Sequence, residues 1–203
     1  MLEKQHKEKQ PSPPLVLAST SRYRRTLLER LQMPFETASP DVDEAPEDGE
    51  AGAACAARLS RLKARAVAAG HPSALIIGSD QVAECDGRRL DKPGDIERAI
   101  EQLSWASGKQ AIFSTAVTLF NSATGREQTQ VVPTTVRYRR ISRAEIERYL
   151  QQEVAIDCAG SAKAEGLGIS LLDAIEGTDP TALIGLPLIA LCSMLREENV
   201  AIP

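Results

Sequence analysis

The sequence predicts an α/β fold with a mixed β-sheet flanked by helices, and three observations support this class. Short apolar runs at 15–18 and 74–78 alternate with amphipathic helical segments, as in α/β proteins. The dipeptide Asp86-Gly87 lies between two strand-like runs and is typical of a hairpin turn, which adds antiparallel pairing. The chain has 203 residues, 42% of them apolar, which is enough to bury a core without a disulfide or a structural metal.

The first half of the chain begins with a strand, a turn and a helix. Leu27, Leu28 and Leu31 share one face of this helix, and Pro34 ends it. A later loop carries six acidic residues and no basic one. The elements predicted here are a strand at 15–18, a helix after Ser19-Thr20-Ser21 to about 32, a strand at 35–39, the acidic loop at 40–50, an alanine-rich helix at 51–69 and a strand at 74–78.

The second half mixes hairpin strands with helices. Ser142 and Glu145 form a capping-box pattern that opens a helix, and the glycine-rich residues 158–177 are predicted to combine loop with short strands. The elements predicted here are strands at 81–85 and 88–90, a helix at 95–106, strands at 110–120 and 128–139, a helix to about 152 and a last helix with Pro187 in its first turn. We expect residues 1–14 to be a disordered tail and residues 15–203 to form a single domain.

Composition argues against several classes of function. The chain has 24 basic and 28 acidic residues, and its net charge of −4 argues against a stable nucleic-acid partner. Its apolar stretches fall far short of the roughly 20 residues that cross a bilayer, and residues 1–14 do not resemble a secretory signal. We therefore expect a cytoplasmic protein with no membrane partner. Four isolated cysteines and two histidines disfavour a zinc site and a nucleophile activated by histidine.

One candidate for binding phosphate is the start of the first predicted helix. Ser19 and its neighbouring hydroxyls precede free backbone amides and a run of guanidinium groups that includes Arg24. Helix N-termini attract anions, and arginine binds phosphate through two parallel hydrogen bonds. The same residues also fit a capped amphipathic helix with a solvated basic face.

A second candidate is Asp80, which follows an apolar run that we predict to be a buried strand. A carboxylate at the carboxyl end of such a strand can hold Mg²⁺ or orient a water molecule, although it can equally cap the next turn. Asp43 and Glu44 in the acidic loop offer further oxygen ligands for a metal. Lys63 and Lys92 fit ordinary surface lysines, and they also have the charge to neutralise a phosphate during its transfer.

Seven segments taken together resemble the Maf family of nucleoside triphosphate pyrophosphatases. These segments are LVLASTSRYRRTLLERL from residue 15, VDE at 42–44, LSRLKA at 59–64, IIGSDQV at 76–82, DKP at 91–93, CAGSAKAEGLGISL at 158–171 and DPTALIGLPL at 179–188. The resemblance runs from Leu15 to about Leu195. It implies a Maf/ITPase-like fold, in which an elongated mixed sheet carries two lobes and an active-site cleft, and it implies a homodimer because members are often dimers.

The resemblance also implies an activity and a set of site residues. Members hydrolyse the bond between the α- and β-phosphates of a nucleoside triphosphate, with a divalent metal cation as cofactor. On this basis Asp80 is the proton acceptor, Glu44 and Asp80 lie at the metal, and the phosphate ligands are Ser19, Arg24, Lys63 and Lys92. Two positions depart from the family pattern, since Arg22 stands where many members have proline and Asp91 replaces a glycine beside Lys92.

Three further positions resemble the branch of the family that acts on 7-methyl-GTP, with an implied house-cleaning role against modified nucleotides. The branch for dTTP and UTP typically has arginine, threonine and glutamine where this chain has Tyr23, Gln81 and Glu165. A tyrosine face attracts the cation that N7 methylation creates, and a carboxylate accepts hydrogen bonds from the guanine edge. The alternatives are a Maf-type dTTP or UTP pyrophosphatase, and a non-catalytic regulator of cell division that binds nucleotide or nucleic acid.

Overall fold

The computed structural model describes residues 13–202, which are built around one seven-stranded sheet with the order β2-β1-β3-β5-β6-β7 and with β4 added on β3. Five helices flank the sheet. The strands are β1 (Leu15–Ala18), β2 (Glu36–Ala38), β3 (Leu75–Cys85), β4 (Arg88–Arg89), β5 (Gln110–Asn121), β6 (Glu127–Tyr138) and β7 (Leu172–Gly177). The helices are α1 (Arg22–Glu29), α2 (Gly52–Ala66), α3 (Ile96–Ala106), α4 (Arg143–Gln152) and α5 (Leu188–Glu197).

The sheet is mixed, as the sequence predicted. Strand β1 pairs in parallel with β2 and β3, whereas the pairings β3–β4, β3–β5, β5–β6 and β6–β7 are antiparallel. The hairpin at Asp86-Gly87 joins β3 to β4, and both residues have positive φ angles of 49° and 74°, as a tight turn between antiparallel strands requires. The α/β class with a mixed sheet flanked by helices is therefore confirmed.

A gap in strand pairing lies along one edge of β3. Strand β1 pairs with β3 only over Leu75–Ile77, and β4 pairs with it only at Glu84 and Cys85. No strand within residues 13–202 pairs with the intervening stretch of β3 on that side. Side chains of this stretch therefore border an opening between the end of β1 and the start of β4.

Hydrophobic packing divides the molecule on either side of this opening. One core packs α1 and α5 on β1 and the first half of β3, with Leu27, Leu28 and Leu191 fully buried. A second core packs α3 and α4 on the second half of β3 and on the ends of β5 and β6. Helix α2 covers the opposite face of the sheet. The two cores match the expected pair of lobes with a cleft between them.

Strand β3 differs from its prediction because it is continuous. The sequence suggested a break at Ser79-Asp80-Gln81, but these residues lie in the middle of the strand. Each polar side chain has a buried partner: Ser79 Oγ contacts the carbonyl oxygens of Ala116 and Gly185, and Asp80 pairs with Lys63. The expectation that Asp80 follows the end of a strand is therefore wrong. Asp80 reaches the opening because its strand has no neighbour there.

Several predicted boundaries move by a few residues. Helix α1 ends at Glu29, and Gln32 already has a φ of 53°, which an α-helix does not accommodate. Helix α2 ends at Ala66 and is followed by a short 3-10 turn at Ala68–Gly70. Pro187 is the N-cap of α5 and does not lie inside its first turn.

The first described residues contact the sheet. Of the predicted disordered tail at 1–14, residues 1–12 lie outside the described residues, whereas the carbonyl of Pro14 accepts a hydrogen bond from the backbone N–H of Leu75 at 2.8 Å. Within residues 13–202 no helix has both the length and the apolar character needed to cross a membrane.

Candidate active site

A cleft of about 790 Å³ occupies the opening beside β3. Its walls come from segments far apart in sequence: the start of α1, the acidic loop, α2, β3, the residues after β4, and the segments 157–165 and 183–185. All nine site residues that the family resemblance implies line this cleft, whereas Asp43, the further acidic candidate, does not. The nine residues are Ser19, Tyr23, Arg24, Glu44, Lys63, Asp80, Gln81, Lys92 and Glu165.

The start of α1 presents polar groups to one wall of the cleft. Ser21 caps the helix, and its hydroxyl accepts a hydrogen bond from the backbone N–H of Arg24 at 3.4 Å. Ser19 Oγ accepts from the N–H of Ser21 at 3.1 Å and from Arg24 Nη1 at 3.5 Å. Arg24 Nε donates to the carbonyl of Gly185 at 2.9 Å, which fixes the guanidinium group while its outer nitrogens lie beside the cleft.

Burial and two nearby carboxylates have opposite effects on the pKa of Arg24. Burial lowers the pKa of this guanidinium, and the negative charges of Asp80 and Glu44 act in the opposite direction. Arginine titrates so far above neutrality that the group stays protonated. The cleft therefore holds a fixed cation opposite its carboxylates.

A lysine between two carboxylates forms the floor of the cleft. Lys63 Nζ lies 2.7 Å from Asp80 Oδ1 and 2.9 Å from Glu44 Oε2. Lys63 and Asp80 are both buried, with side chains 6% and 9% exposed, whereas Glu44 is 58% exposed at the rim. Asp43, the other acidic candidate, accepts a hydrogen bond from the backbone N–H of Ala45 and does not line the cleft.

Close contact between α2 and β3 brings Lys63 to Asp80. Gly78 leaves room for the helix, because a Cβ at this position would collide with the carbonyl oxygen of Ser60 and would lie 2.8 Å from the N–H of Ala64. Ser60 Oγ also contacts Thr118 Oγ1 of β5 at 2.7 Å, which holds the helix on the sheet. Lys63 lies on the same buried side of α2 and reaches across to the edge of β3.

Gln81 is held by the segment that closes the far side of the cleft. Its amide nitrogen lies 2.8 Å from Thr115 Oγ1 and within 3.1 Å of the carbonyl oxygens of Ala182 and Leu183. These contacts use the donor capacity of the amide, and Gln81 also lines the cleft. Asp179, which is buried, holds the same segment by accepting hydrogen bonds from Thr181 and from the N–H of Ile189 in the first turn of α5.

Glu165 and Lys92 occupy more exposed positions. Glu165 lies in a turn that is closed by a hydrogen bond from the backbone N–H of Gly166 to the carbonyl oxygen of Lys163 at 3.0 Å. Lys92 is exposed at the rim after β4, and its amino group has no hydrogen bond or ion pair within the described part of the chain. Both side chains are therefore available to a ligand in the cleft.

Sequence reasoning missed two charged residues beside Tyr23. The hydroxyl of Tyr23 donates to Asp157 Oδ2 at 3.0 Å, and Lys163 Nζ lies 3.1 Å from Asp157 Oδ1. Both lie in the cleft wall opposite α1. Lys163 is inside a segment that resembles the Maf family, but its pairing with a residue of α1 depends on contacts more than 130 positions apart, which spacing does not reveal.

The carboxylates of the cleft suit a divalent cation that also binds substrate. No group of three or more histidine, cysteine, aspartate or glutamate side chains within residues 13–202 is arranged to enclose a metal ion. However, Glu44 and Asp80 both reach Lys63 Nζ, each through a single oxygen. Mg²⁺ is commonly held by one or two carboxylates together with substrate phosphates and water. This donor set therefore fits a metal site that a polyphosphate completes.

Comparison with known proteins finds similar sequences over most of the chain. Residues 14–198 match the family model described as Maf-like protein. A protein of Thiobacillus denitrificans named 7-methyl-GTP pyrophosphatase is 57% identical over 189 residues, which cover 93% of this chain and 94% of the relative. Proteins of the same name from Aromatoleum aromaticum and Pseudomonas aeruginosa are 57% and 54% identical, and the alignments cover 97% and 100% of those relatives.

Proposed function

Since this chain belongs to the Maf-like protein family, we propose that it is a nucleoside triphosphate pyrophosphatase that hydrolyses 7-methyl-GTP to 7-methyl-GMP and pyrophosphate. The buried Lys63–Asp80 pair carries this proposal, because it places a carboxylate and an ammonium group on the floor of a cleft that also holds Arg24. Such a set suits hydrolysis of a phosphoanhydride, which needs a proton acceptor and positive charge near the phosphates. The names of the relatives agree with this reaction.

Asp80 is the proton acceptor in this mechanism. Lys63 holds Asp80 Oδ1 at 2.7 Å, and Oδ2 has no hydrogen bond within the described residues. A water molecule that attacks the α-phosphorus gives its proton to this free oxygen, and the bond between that phosphorus and the bridging oxygen breaks as pyrophosphate leaves. Lys63 keeps the carboxylate oriented through this step.

The other polar groups of the cleft bind the phosphates. Arg24, fixed by Gly185, Ser19, which precedes α1, and Lys92, which follows β4, all line the cleft and bind them. Glu44 and Asp80 are the residues that would hold a divalent cation together with the phosphates, and such a cation would supply further charge neutralisation. Together these groups compensate the negative charge that develops on the leaving pyrophosphate.

Tyr23 and Glu165 recognise the base. Methylation at N7 gives guanine a positive charge, which the face of a tyrosine ring attracts. Glu165 has no hydrogen bond or ion pair within residues 13–202, and it lines the cleft, where it accepts hydrogen bonds from the N1–H and exocyclic amine edge of the base. Gln81 supports this end of the cleft by holding residues 182–183.

A panel of nucleoside triphosphates tests the proposal. The purified protein is supplied with Mg²⁺ or Mn²⁺ and with 7-methyl-GTP, GTP, dTTP or UTP, and the released pyrophosphate is quantified. We expect the highest kcat/KM with 7-methyl-GTP and no release in the presence of a chelator. Fastest turnover of dTTP or UTP would contradict the substrate assignment, and no release from any nucleotide would contradict the enzyme assignment.

A further inference from the structure

The carboxylate of Asp157, which lines the cleft, has three partners that come from two different walls. Asp157 Oδ2 accepts a hydrogen bond from the hydroxyl of Tyr23 at 3.0 Å and from Arg22 Nη2 at 3.1 Å. Asp157 Oδ1 lies 3.1 Å from Lys163 Nζ. Arg22 and Tyr23 belong to α1, whereas Asp157 and Lys163 belong to the segment after α4. Asp157 therefore ties the two walls together at Tyr23.

Two cations lie beside the Tyr23 ring. The guanidinium carbon of Arg22 is 4.8 Å from the ring centroid, and Lys163 Nζ is 5.9 Å from it. Both are within the range of cation–π attraction. A positively charged base that stacks on this ring is repelled by the same two cations, and a neutral base is not.

Asp157 is ionised beside these cations. Burial acts to raise the pKa of its carboxyl group, but hydrogen bonds from Lys163 and Tyr23 outweigh burial and hold the pKa below its ordinary value. The carboxylate is therefore fully charged at neutral pH. Arg22, Lys163 and Asp157 then sum to one positive charge near the ring, and without Asp157 they would sum to two.

We propose that Asp157 is a specificity-determining positioning residue, which allows a cationic base to approach Tyr23 by neutralising Arg22 and Lys163 and by fixing the Tyr23 ring. This inference rests on the proposed function, since it concerns the base of the same nucleotide substrate. Asp157 acts through Tyr23 and its two cations and takes no part in the hydrolysis. Its effect therefore falls on the choice between charged and neutral bases.

The comparison of 7-methyl-GTP with GTP isolates this effect, because the two nucleotides differ only in the methyl group and in the charge that it creates. Asp157→Asn keeps the size of the side chain and removes its charge. We expect the ratio of kcat/KM for 7-methyl-GTP to that for GTP to fall about tenfold, as the loss of one nearby compensating charge predicts. An equal fall for both nucleotides would mean that Asp157 only holds the walls in place, and would overturn the inference.

Removal of a cation supplies the opposite test. Arg22 is 71% exposed, so Arg22→Gln preserves folding and removes one positive charge from the ring. We expect this variant to raise the ratio of kcat/KM for 7-methyl-GTP to that for GTP. Combined with Asp157→Asn, it should restore much of the ratio that Asp157→Asn alone loses. An unchanged ratio in Arg22→Gln would contradict the inference even where Asp157→Asn is too unstable to assay.

Tyr23→Phe separates the effect of the hydrogen bond between Tyr23 and Asp157 from the effect of the charges around the ring. This variant loses the hydroxyl that donates to Asp157 but keeps the ring and all three charges. We expect the ratio of kcat/KM for 7-methyl-GTP to that for GTP to fall less in Tyr23→Phe than in Asp157→Asn. An equal or larger fall would contradict the electrostatic role of Asp157. If wild-type protein hydrolyses neither nucleotide, the proposed function itself fails. If wild type prefers 7-methyl-GTP and the variants keep its ratio, only the role of Asp157 fails.

Discussion

At the scale of single residues, the charge of the cleft floor is unbalanced. Lys63 contributes one positive charge between the carboxylates of Asp80 and Glu44, so the three groups together carry one negative charge. A triphosphate brings several more negative charges to the same place. Arg24 and Lys92 offset part of this repulsion, and a divalent cation bound to both the carboxylates and the phosphates offsets more. On the proposed function, the floor would therefore favour substrate that arrives with its metal.

Asp80→Asn tests the role of the proton acceptor. The amide keeps the shape of the side chain but cannot accept a proton, so we expect kcat to fall by roughly 10²- to 10⁴-fold, together with a lower Tm because buried Lys63 loses the charge of Asp80. Pyrophosphate release and thermal unfolding measure the two effects. Asp48→Asn, on the exposed acidic loop, is the matched control and should resemble wild type. A kcat near the wild-type value in Asp80→Asn would refute the assignment.

Arg24→Ala tests the phosphate site. Loss of a fixed guanidinium removes charged hydrogen bonds to the phosphates, so we expect kcat/KM to fall by about 10- to 100-fold for every triphosphate, with a higher KM and a lower kcat. Arg25→Ala is the matched control, because Arg25 is exposed on the same helix and pairs with Glu29. A loss confined to one nucleotide would assign Arg24 to the base instead.

At the scale of elements, the packing of α2 on β3 decides the distance between Lys63 and Asp80. The helix approaches the strand at Gly78, where a Cβ would collide with the backbone of α2. The interface contains buried Ser60 and Ala64 and has no flexible side chain that can move aside. A larger residue at Gly78 must therefore displace the helix and, with it, the ammonium group of Lys63.

Gly78→Ala should impair both stability and catalysis. Overpacking of a tight interface costs about 1–3 kcal/mol, which lowers the Tm of a chain of this size by several degrees. Displacement of Lys63 should also lower kcat for all nucleotides. Gly70→Ala is the control, since a Cβ there meets no atom within 4 Å. If Gly78→Ala matched Gly70→Ala in both Tm and kcat, the close approach would not position the site.

The elements themselves were largely predictable, because apolar periodicity and capping residues act locally. The capping box of Ser142 and Glu145 is present as expected, and Asp95 caps α3. The false break in β3 arose because Asp80 and its polar neighbours looked like the end of a strand. Their partners come from α2, β5 and the segment at 182–185, and no local pattern reveals such long-range pairing.

At the scale of the whole molecule, the cleft exists because two hydrophobic cores share one sheet and leave an edge of β3 uncovered between them. The residue types of the site were visible in the sequence through their chemistry and their resemblance to a family. Their assembly was not, because it depends on strand order. Asp157 illustrates the difference, since an exposed aspartate in a loop has no distinguishing sequence signal and gains its role only opposite Tyr23.

Gln81 shows how the fold constrains any change of specificity. Replacement by threonine shortens the side chain and removes the donor that reaches the carbonyl oxygens of Ala182 and Leu183. The carbonyl of Ala182 keeps the hydroxyl of Thr115 and the N–H of Gly185 as donors, but the carbonyl of Leu183 loses the donor that Gln81 supplies, so Gln81→Thr should loosen this end of the cleft. The contributions of Tyr23 and Glu165 to specificity are therefore better measured first in variants that keep Gln81.

The last prediction concerns substitution of the base-recognition residues by those typical of the other branch. Tyr23→Arg sets a guanidinium against a cationic base, and Glu165→Gln removes a carboxylate that complements its charge. We expect the double variant to lower the ratio of kcat/KM for 7-methyl-GTP to that for dTTP by about tenfold or more. Adding Gln81→Thr should move the preference further toward pyrimidines while lowering Tm. Arg30→Gln, exposed beyond α1, is the control for a change of charge. If the ratio does not fall in the double variant, Tyr23 and Glu165 do not distinguish the bases, and the cleft must select 7-methyl-GTP through other contacts.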